Sequence, residues 1–207
     1  MVTNTAEGEG TKPAIVVSDK NMSDNSMGYD DLAITVTVDG TEGAAINGDV
    51  VKVSNLTTGA KTQDGGNTSL TISNTTVSGN VTNQSKTGLT IRDTTINGNV
   101  SNTSEGSTAI LGDSNVTGDT DDTIFVENAQ SGETEIVAIN ETTAVTYTDL
   151  AAAISAANDG DTIRLVKDFT LDAPETGISS GQGAVNITKD ITLDGNGKTI
   201  TAGSIMF

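Results

Sequence analysis

The chain has 207 residues, a formal net charge of −18, and no Cys, His or Trp. This excludes disulfides, thiol nucleophiles, Cys- or His-ligated metals and the Ser–His catalytic arrangement. The charge, with two Arg in the whole sequence, argues against nucleic acid or anionic membrane as partner and leaves calcium as a candidate ligand. Val, Ile, Leu and Phe make up 46 residues and Thr alone 35, enough for a thin core on β-branched strands and unlike a helical bundle.

Residues 1–30 are polar, with apolar spots at Ala14–Val17. Leu32, Ile34, Val36 and Val38 alternate with Thr35 and Thr37, the pattern of a strand over 31–38. Asp39-Gly40 reads as a turn, Val50–Val53 as a second strand and 57–68 as a loop. No run approaches the roughly 20 apolar residues of a membrane span, so membrane insertion is not expected.

From Leu70 the sequence reads LTISNTTVSGNV, from Leu89 LTIRDTTINGNV and from Ala109 AILGDSNVTGDT. The shifts of 19 and 20 residues align four apolar columns: Leu70/Leu89/Ala109, Ile72/Ile91/Leu111, Val77/Ile96/Val116 and Val81/Val100/Thr120. A fifth column is Gly79/Gly98/Gly118, and Ile46–Val50 repeats the same ending upstream. One such unit cannot bury its apolar side alone, whereas stacked units can. The fold class expected is all-β: a right-handed parallel β-helix (β-solenoid) over 31–127, in coils of 19–20 residues. In this register Ile91 lies between Ile72 and Leu111, and Thr90 faces solvent.

Two polar columns follow the corners. Asn80/Asn99/Asp119 succeeds each Gly, a pairing that tolerates positive φ. Asn74/Asp93/Asp113 would bring two carboxylates together, a repulsion relieved by solvent, a proton or a cation. Asp119, Asp121 and Asp122 form the densest acidic cluster. Asp93, Asp113, Asp119, Asp121 and Asp122 are thus the calcium candidates. Solvated corner carboxylates are the preferred reading, because neither an EF-hand loop nor a glycine-rich nonapeptide is present.

Residues 128–145 read as a connector, with a strand at Thr134–Ile139. A second unit spans 146–207. Its helix is expected over 148–158, capped by Thr148 and ended by Gly160, with Leu150, Ala153, Ile154 and Ala157 on one stripe. That stripe should pack near Ile163 and Leu165. Strands follow at Thr162–Val166, Phe169–Leu171, Ala184–Thr188, Ile191–Leu193 and Thr199–Thr201, with a turn at Asp194–Gly197.

The run from Tyr147 to Leu165 (YTDLAAAISAANDGDTIRL), with Asp190–Ile200 (DITLDGNGKTI), resembles the start of pectin-lyase-like right-handed β-helix domains of secreted and surface bacterial proteins. The resemblance covers about residues 147–201. It implies a helix capping the first coil and many coils after it. Here about two follow, so the chain reads as cut from a longer protein or completed by another chain. Self-association through an open solenoid end is therefore expected.

The resemblance spans adhesins, stalks and polysaccharide-cleaving enzymes. The composition favours a non-catalytic extracellular or cell-surface module contacting glycans or surface proteins. The alternative is a calcium-dependent lyase acting on acidic glycans. By the same resemblance Asp93 and Asp113 would hold the ion and Arg92 would remove the proton. Sugar-stacking aromatics are few, and no catalytic residue is assigned. An ice-binding Thr array is disfavoured, because Ile110 and Asn115 interrupt the Thr71/Thr90 and Thr76/Thr95 rows.

Overall fold

A computed structural model describes residues 2–3, 13–18, 33–40, 43–53, 67–103, 105–129, 136–171 and 187–202. The chain divides into two units. One comprises Met1–Ala129 with Thr142–Ala144, the other Gln130–Glu141 with Val145–Phe207.

The first unit is a parallel β-helix, as the repeat requires. Its coils run β1 (Val2–Thr3), β2 (Ile15–Ser18), β3 (Ala33–Asp39); β4 (Ala45–Asn47), β5 (Val50–Val53), β6 (Asn67–Ser73); β7 (Thr76–Val77), β8 (Val81–Gln84), β9 (Leu89–Arg92); and β10 (Thr95–Ile96), β11 (Val100–Asn102), β12 (Thr108–Leu111). A fifth holds β13 (Asn115–Val116), a single bridge from Thr120 to Val100, and β14 (Phe125–Val126). Corresponding strands of successive coils stack in one sheet, giving the orders β1-β4-β7-β10-β13, β11-β8-β5-β2 and β14-β12-β9-β6-β3, all parallel. The polar segment 1–30 thus supplies β1 and β2 of the first coil. The spots at Ile15 and Val17 are the alternating signal of an edge strand too short to stand out.

Alternation turns one side of each strand inward, and like residues stack at the strand spacing of about 4.8 Å. The core holds Ile46, Val50, Leu70, Ile72, Val77, Val81, Leu89, Ile91, Ile96, Val100, Ile110 and Ile124. Full burial of one such side chain contributes roughly 1.5–3 kcal/mol.

The register of the third repeat differs from the sequence alignment. Ile91 pairs with Ile110 and Leu89 with Thr108, a shift of 19 throughout β9 and β12. Thr95 pairs with Asn115, a shift of 20. The extra residue sits in the corner between Leu111 and Asn115, where Gly112 takes φ +62°. Leu111 therefore aligns with Arg92, not Ile91, and Ala109 with Thr90. The Thr71/Thr90 row is interrupted by Ala109, not by Ile110. Thr90 is 1% exposed, so β9 is buried on both sides rather than solvated on one.

In the second unit, β15 (Ala138–Asn140) pairs antiparallel with β16 (Val145–Tyr147) and with β17 (Thr162–Leu165). β17 pairs parallel with β19 (Thr192–Asp194), and β18 (Phe169–Leu171) with β20 (Ile200–Ala202). The helix α1 covers Leu150–Ala156, shorter than the expected 148–158. Asp149 caps it in place of Thr148, accepting the Ala152 N–H at 3.0 Å on Oδ2. Gly160, at φ +87°, follows in the reversal. Leu150, Ala153, Ile154 and Ala157 share a core with Ile163 and Leu165, as the stripe requires. Most of the strand expected at Ala184–Thr188 lies outside the described residues, as do the 57–68 loop up to Gly66 and the start of the strand at Thr134.

Candidate functional site

The acidic and amide columns occupy the corners, and each has an identifiable bond. Asp49 Oδ1 accepts the Asn80 N–H at 2.7 Å, Asn80 Oδ1 the Asn99 N–H at 2.9 Å, and Asn99 Oδ1 the Asp119 N–H at 2.8 Å. The column reaches from Asp49 to Asp119 and stitches four successive coils. Its glycines serve a different purpose from the one expected. Only Gly48 has a positive φ. A Cβ on Gly98 would lie 2.6 Å from both Asn80 Oδ1 and the Gly79 carbonyl oxygen. Gly79 and Gly118 are crowded likewise, by Asp49 Oδ1 and Asn99 Oδ1. Glycine is required because the stacked amide occupies the space of a side chain.

The second corner column also differs from its alignment. Asn74 and Asp93 take φ of 51° and 49°, and the residue continuing them is Gly112 at 62°. Asp113 is the following residue, displaced by the corner insertion. Asp93 Oδ1 accepts the Asp113 N–H at 2.9 Å, so the carboxylate faces an amide proton. Arg92 Nε lies 3.4 Å from Asp93 Oδ2, both about one-third exposed. Two coils lower, Asp39 Oδ1 accepts the Ser73 hydroxyl at 2.9 Å and Asn74 Nδ2 at 2.8 Å. Those two bonds, Asn74 first, hold the Asp39 carboxyl below its usual range.

Asp119, Asp121 and Asp122 are exposed. Asp121 Oδ2 accepts the Asn102 N–H at 3.3 Å, substituting for a fifth strand beside β11. Glu127, in a 3-10 turn over Glu127–Ala129, accepts the Gly112 N–H at 2.9 Å, and Asn128 Nδ2 donates to the Gly112 carbonyl at 2.7 Å. Side chains of the fifth coil thus bond the backbone of the fourth at Asn102 and Gly112. Among the described residues no group of three or more acidic side chains is arranged to hold a metal ion.

A polar column inside the solenoid was not singled out from the sequence. Lys52, Asn83 and Asn102 align in β5, β8 and β11. Lys52 and Asn83 are fully buried. Lys52 Nζ donates to Ser85 Oγ at 2.6 Å and to Thr87 Oγ1. Asn83 Nδ2 reaches the carbonyls of Thr87 and Ser107 and the Thr108 hydroxyl, while Asn83 Oδ1 accepts the Ser85 N–H. The available signal was parity: each residue stands two places after an inward Val, at Val50, Val81 and Val100, and so points inward too.

In the second unit Arg164 is 6% exposed. It donates to Asp194 Oδ2 and Asn196 Oδ1, each at 2.6 Å, and lies 3.7 Å from Glu141. This buried ion pair fixes the Asp194–Gly197 turn against β17. The corner stitch recurs here: Asp159 Oδ1 accepts the Asp190 N–H, and Asp168 Oδ1 the Thr199 N–H.

Outward-facing hydroxyls form rows. Thr76, Thr95 and Asn115 align on one sheet, and Thr82 and Ser101 on the next, where Ser101 Oγ donates to Thr82 Oγ1 at 3.2 Å. No helix among the described residues is long and apolar enough to cross a membrane. Comparison with protein-family models, curated proteins and solved structures returns no match for the chain.

Proposed function

We propose that this is a non-catalytic, extracellular or cell-surface β-helix module of the adhesin or stalk type that contacts glycans or surface proteins. The observation carrying this reading is the employment of the carboxylates. Asp49, Asp93, Asp121 and Glu127 each accept a backbone N–H that holds one coil to the next. Their chemistry is that of a scaffold. The contact surface is the set of hydroxyl rows at Thr76/Thr95 and Thr82/Ser101. Hydroxyls repeated at the strand spacing offer donors and acceptors to a polyhydroxylated ligand without a deep pocket. The resemblance of residues 147–201 to pectin-lyase-like domains supports a surface location.

A glycan array probed with the purified chain, with and without calcium, tests this reading. A saturable signal lost on Thr82→Glu together with Thr95→Glu supports it. The lyase alternative rests on the Arg92–Asp93 pair. Release of ultraviolet-absorbing unsaturated sugar from an acidic polysaccharide, abolished by Arg92→Ala, would replace the adhesin reading with it.

A further inference from the structure

We propose that Asn97 is a site of spontaneous covalent modification, where the side chain closes onto the Gly98 nitrogen, loses ammonia and reopens as isoaspartate. This goes beyond the glycan reading and does not depend on it.

Asn-Gly occurs three times in the sequence, at Asn47-Gly48, Asn97-Gly98 and Asn196-Gly197. Ring closure needs a side chain free to swing over its own backbone and a following N–H that is not already donated. Glycine favours it because no side chain shields that nitrogen. The fold treats the three dipeptides differently. The Gly48 N–H donates to Ser78 Oγ at 3.0 Å. The Asn196 side chain is held at both ends, Oδ1 accepting from Arg164 at 2.6 Å and Nδ2 donating to the Leu165 carbonyl at 3.0 Å. Asn97 has neither restraint. It follows the inward Ile96, points outward and is exposed. Among the described residues nothing accepts the Gly98 N–H and nothing bonds the Asn97 amide. Thr117 stands to Gly98 as Ser78 stands to Gly48, one place after Val116 and Val77 in their columns. Its hydroxyl makes no bond of the Ser78 kind.

The chemistry balances with water as the only co-reactant. The Gly98 nitrogen loses its proton and attacks Asn97 Cγ. The N–Cγ bond forms, the Cγ–Nδ2 bond breaks, and Nδ2 takes up the proton and leaves as ammonia. Water then opens the cyclic imide at either carbonyl, giving aspartate or isoaspartate. In isoaspartate the main chain runs through the side chain and is one methylene longer. The insertion falls at a corner without slack. Gly98 lies so close to Asn80 Oδ1 and the Gly79 carbonyl that a Cβ would stand 2.6 Å from each, and the Asn99 N–H donates to that same Oδ1 at 2.9 Å. Isoaspartate therefore releases the bond between the third and fourth coils. Aspartate, which leaves the backbone length unchanged, keeps it.

Incubation of the folded chain at mildly alkaline pH, followed by peptide mapping, provides the test. Each conversion adds about 1 Da and releases one ammonia. Asn97 should convert at least about tenfold faster than Asn47 and Asn196, which must first break a bond by local opening. In denaturant the three should convert at similar rates. Asn97→Gln should abolish the early mass gain, since glutamine would have to close a larger, slower ring. Asn97→Asp should unfold like the wild type, whereas the isoaspartate fraction, separated by chromatography, should lose protection of the Asn99 amide from hydrogen exchange. Conversion at Asn47 or Asn196 as fast as at Asn97 in the folded chain would overturn the proposal. So would an Asn97 that stays intact while the denatured chain converts. An isoaspartate fraction with the Asn99 amide still protected would overturn its structural consequence.

Discussion

Asn80 Oδ1 accepts the Asn99 N–H at 2.9 Å, and the same oxygen stands 2.6 Å from where a Cβ on Gly98 would be. One atom therefore explains two columns of the repeat. The amide is kept because it bonds the next coil, and the glycine because that amide fills its side-chain space.

Gly98→Ala should accordingly destabilise the solenoid by about 1–3 kcal/mol, the range for forcing a methyl group into a packed site. The obstructing Gly79 carbonyl is backbone and cannot rotate away. Gly195→Ala is the control, because nothing lies within 4 Å of its added Cβ. It should change stability by under about 0.5 kcal/mol. Denaturant unfolding of both variants checks the contrast, and equal costs would remove steric exclusion as the reason for the glycine column.

The register can be read energetically. Ile91 pairs with Ile110, not with Leu111. Each of Ile91→Ala and Ile110→Ala should cost about 2–5 kcal/mol, because both side chains are buried in one core. The double variant should show a coupling of about 0.5 kcal/mol or more, since contacting residues share a cavity. Ile91→Ala with Leu111→Ala, on opposite sides of neighbouring strands, should be closer to additive. The reverse pattern would restore the alignment read from the sequence.

That misalignment marks the limit of what the sequence conveyed. The parallel β-helix was legible because stacked identical residues repeat at a fixed period. The packing of Leu150 and Ile154 beside Ile163 and Leu165 was legible because a small apolar stripe must be buried. An inserted corner residue was not, because Ile110 and Leu111 are both apolar and either can continue the Ile91 column. Thr90 misled for a related reason: alternation says which side of the sheet a residue is on, not whether that side is covered. Lys52 and Asn83 were missed because polar residues are ordinarily placed outside, and only their spacing from Val50 and Val81 points inward. For the candidate site, the corner positions of Asp93 and Asp119 could be read, but their bonds to neighbouring coils needed the three-dimensional register.

Asn83→Leu tests that interior column. The change leaves the Thr87 and Ser107 carbonyls, the Thr108 hydroxyl and the Ser85 N–H without the amide that serves all four. Unpaired buried polar groups cost about 1–3 kcal/mol each where they find no new partner. A loss of at least about 2 kcal/mol is expected despite the added apolar volume. A gain in the melting temperature would show that the corner relaxes or admits water.

Asp149→Ala should lower stability by about 1 kcal/mol, the usual value of an N-cap that accepts an N–H in the first turn. Thr148→Ala should have a smaller effect, because Thr148 precedes the cap. Thermal unfolding followed at the helix signal separates the two. A larger loss for Thr148→Ala would return the cap to that residue.

The pH dependence carries two limbs of opposite sign. Asp39 is held below its ordinary value by bonds from Asn74 and Ser73 to the ionised carboxylate. The folded state therefore binds that proton less readily than the unfolded state. Its contribution is complete above the unfolded value of about 3.9 and is lost as pH falls through the lower folded value. Tyr147 lies on the other limb: burial first, and the Asp161 carboxylate second, raise its phenol. Its contribution is complete below the ordinary tyrosine value of about 10 and is lost as pH rises through the higher folded one. The stability difference between wild type and Asp39→Asn should narrow as pH drops below about 4. That between wild type and Tyr147→Phe should change only above about pH 10. Urea unfolding at pH 3, 7 and 10.5 resolves both. An Asp39→Asn difference that stays constant from pH 7 to pH 3 would mean the Ser73 and Asn74 bonds do not favour the ionised carboxylate.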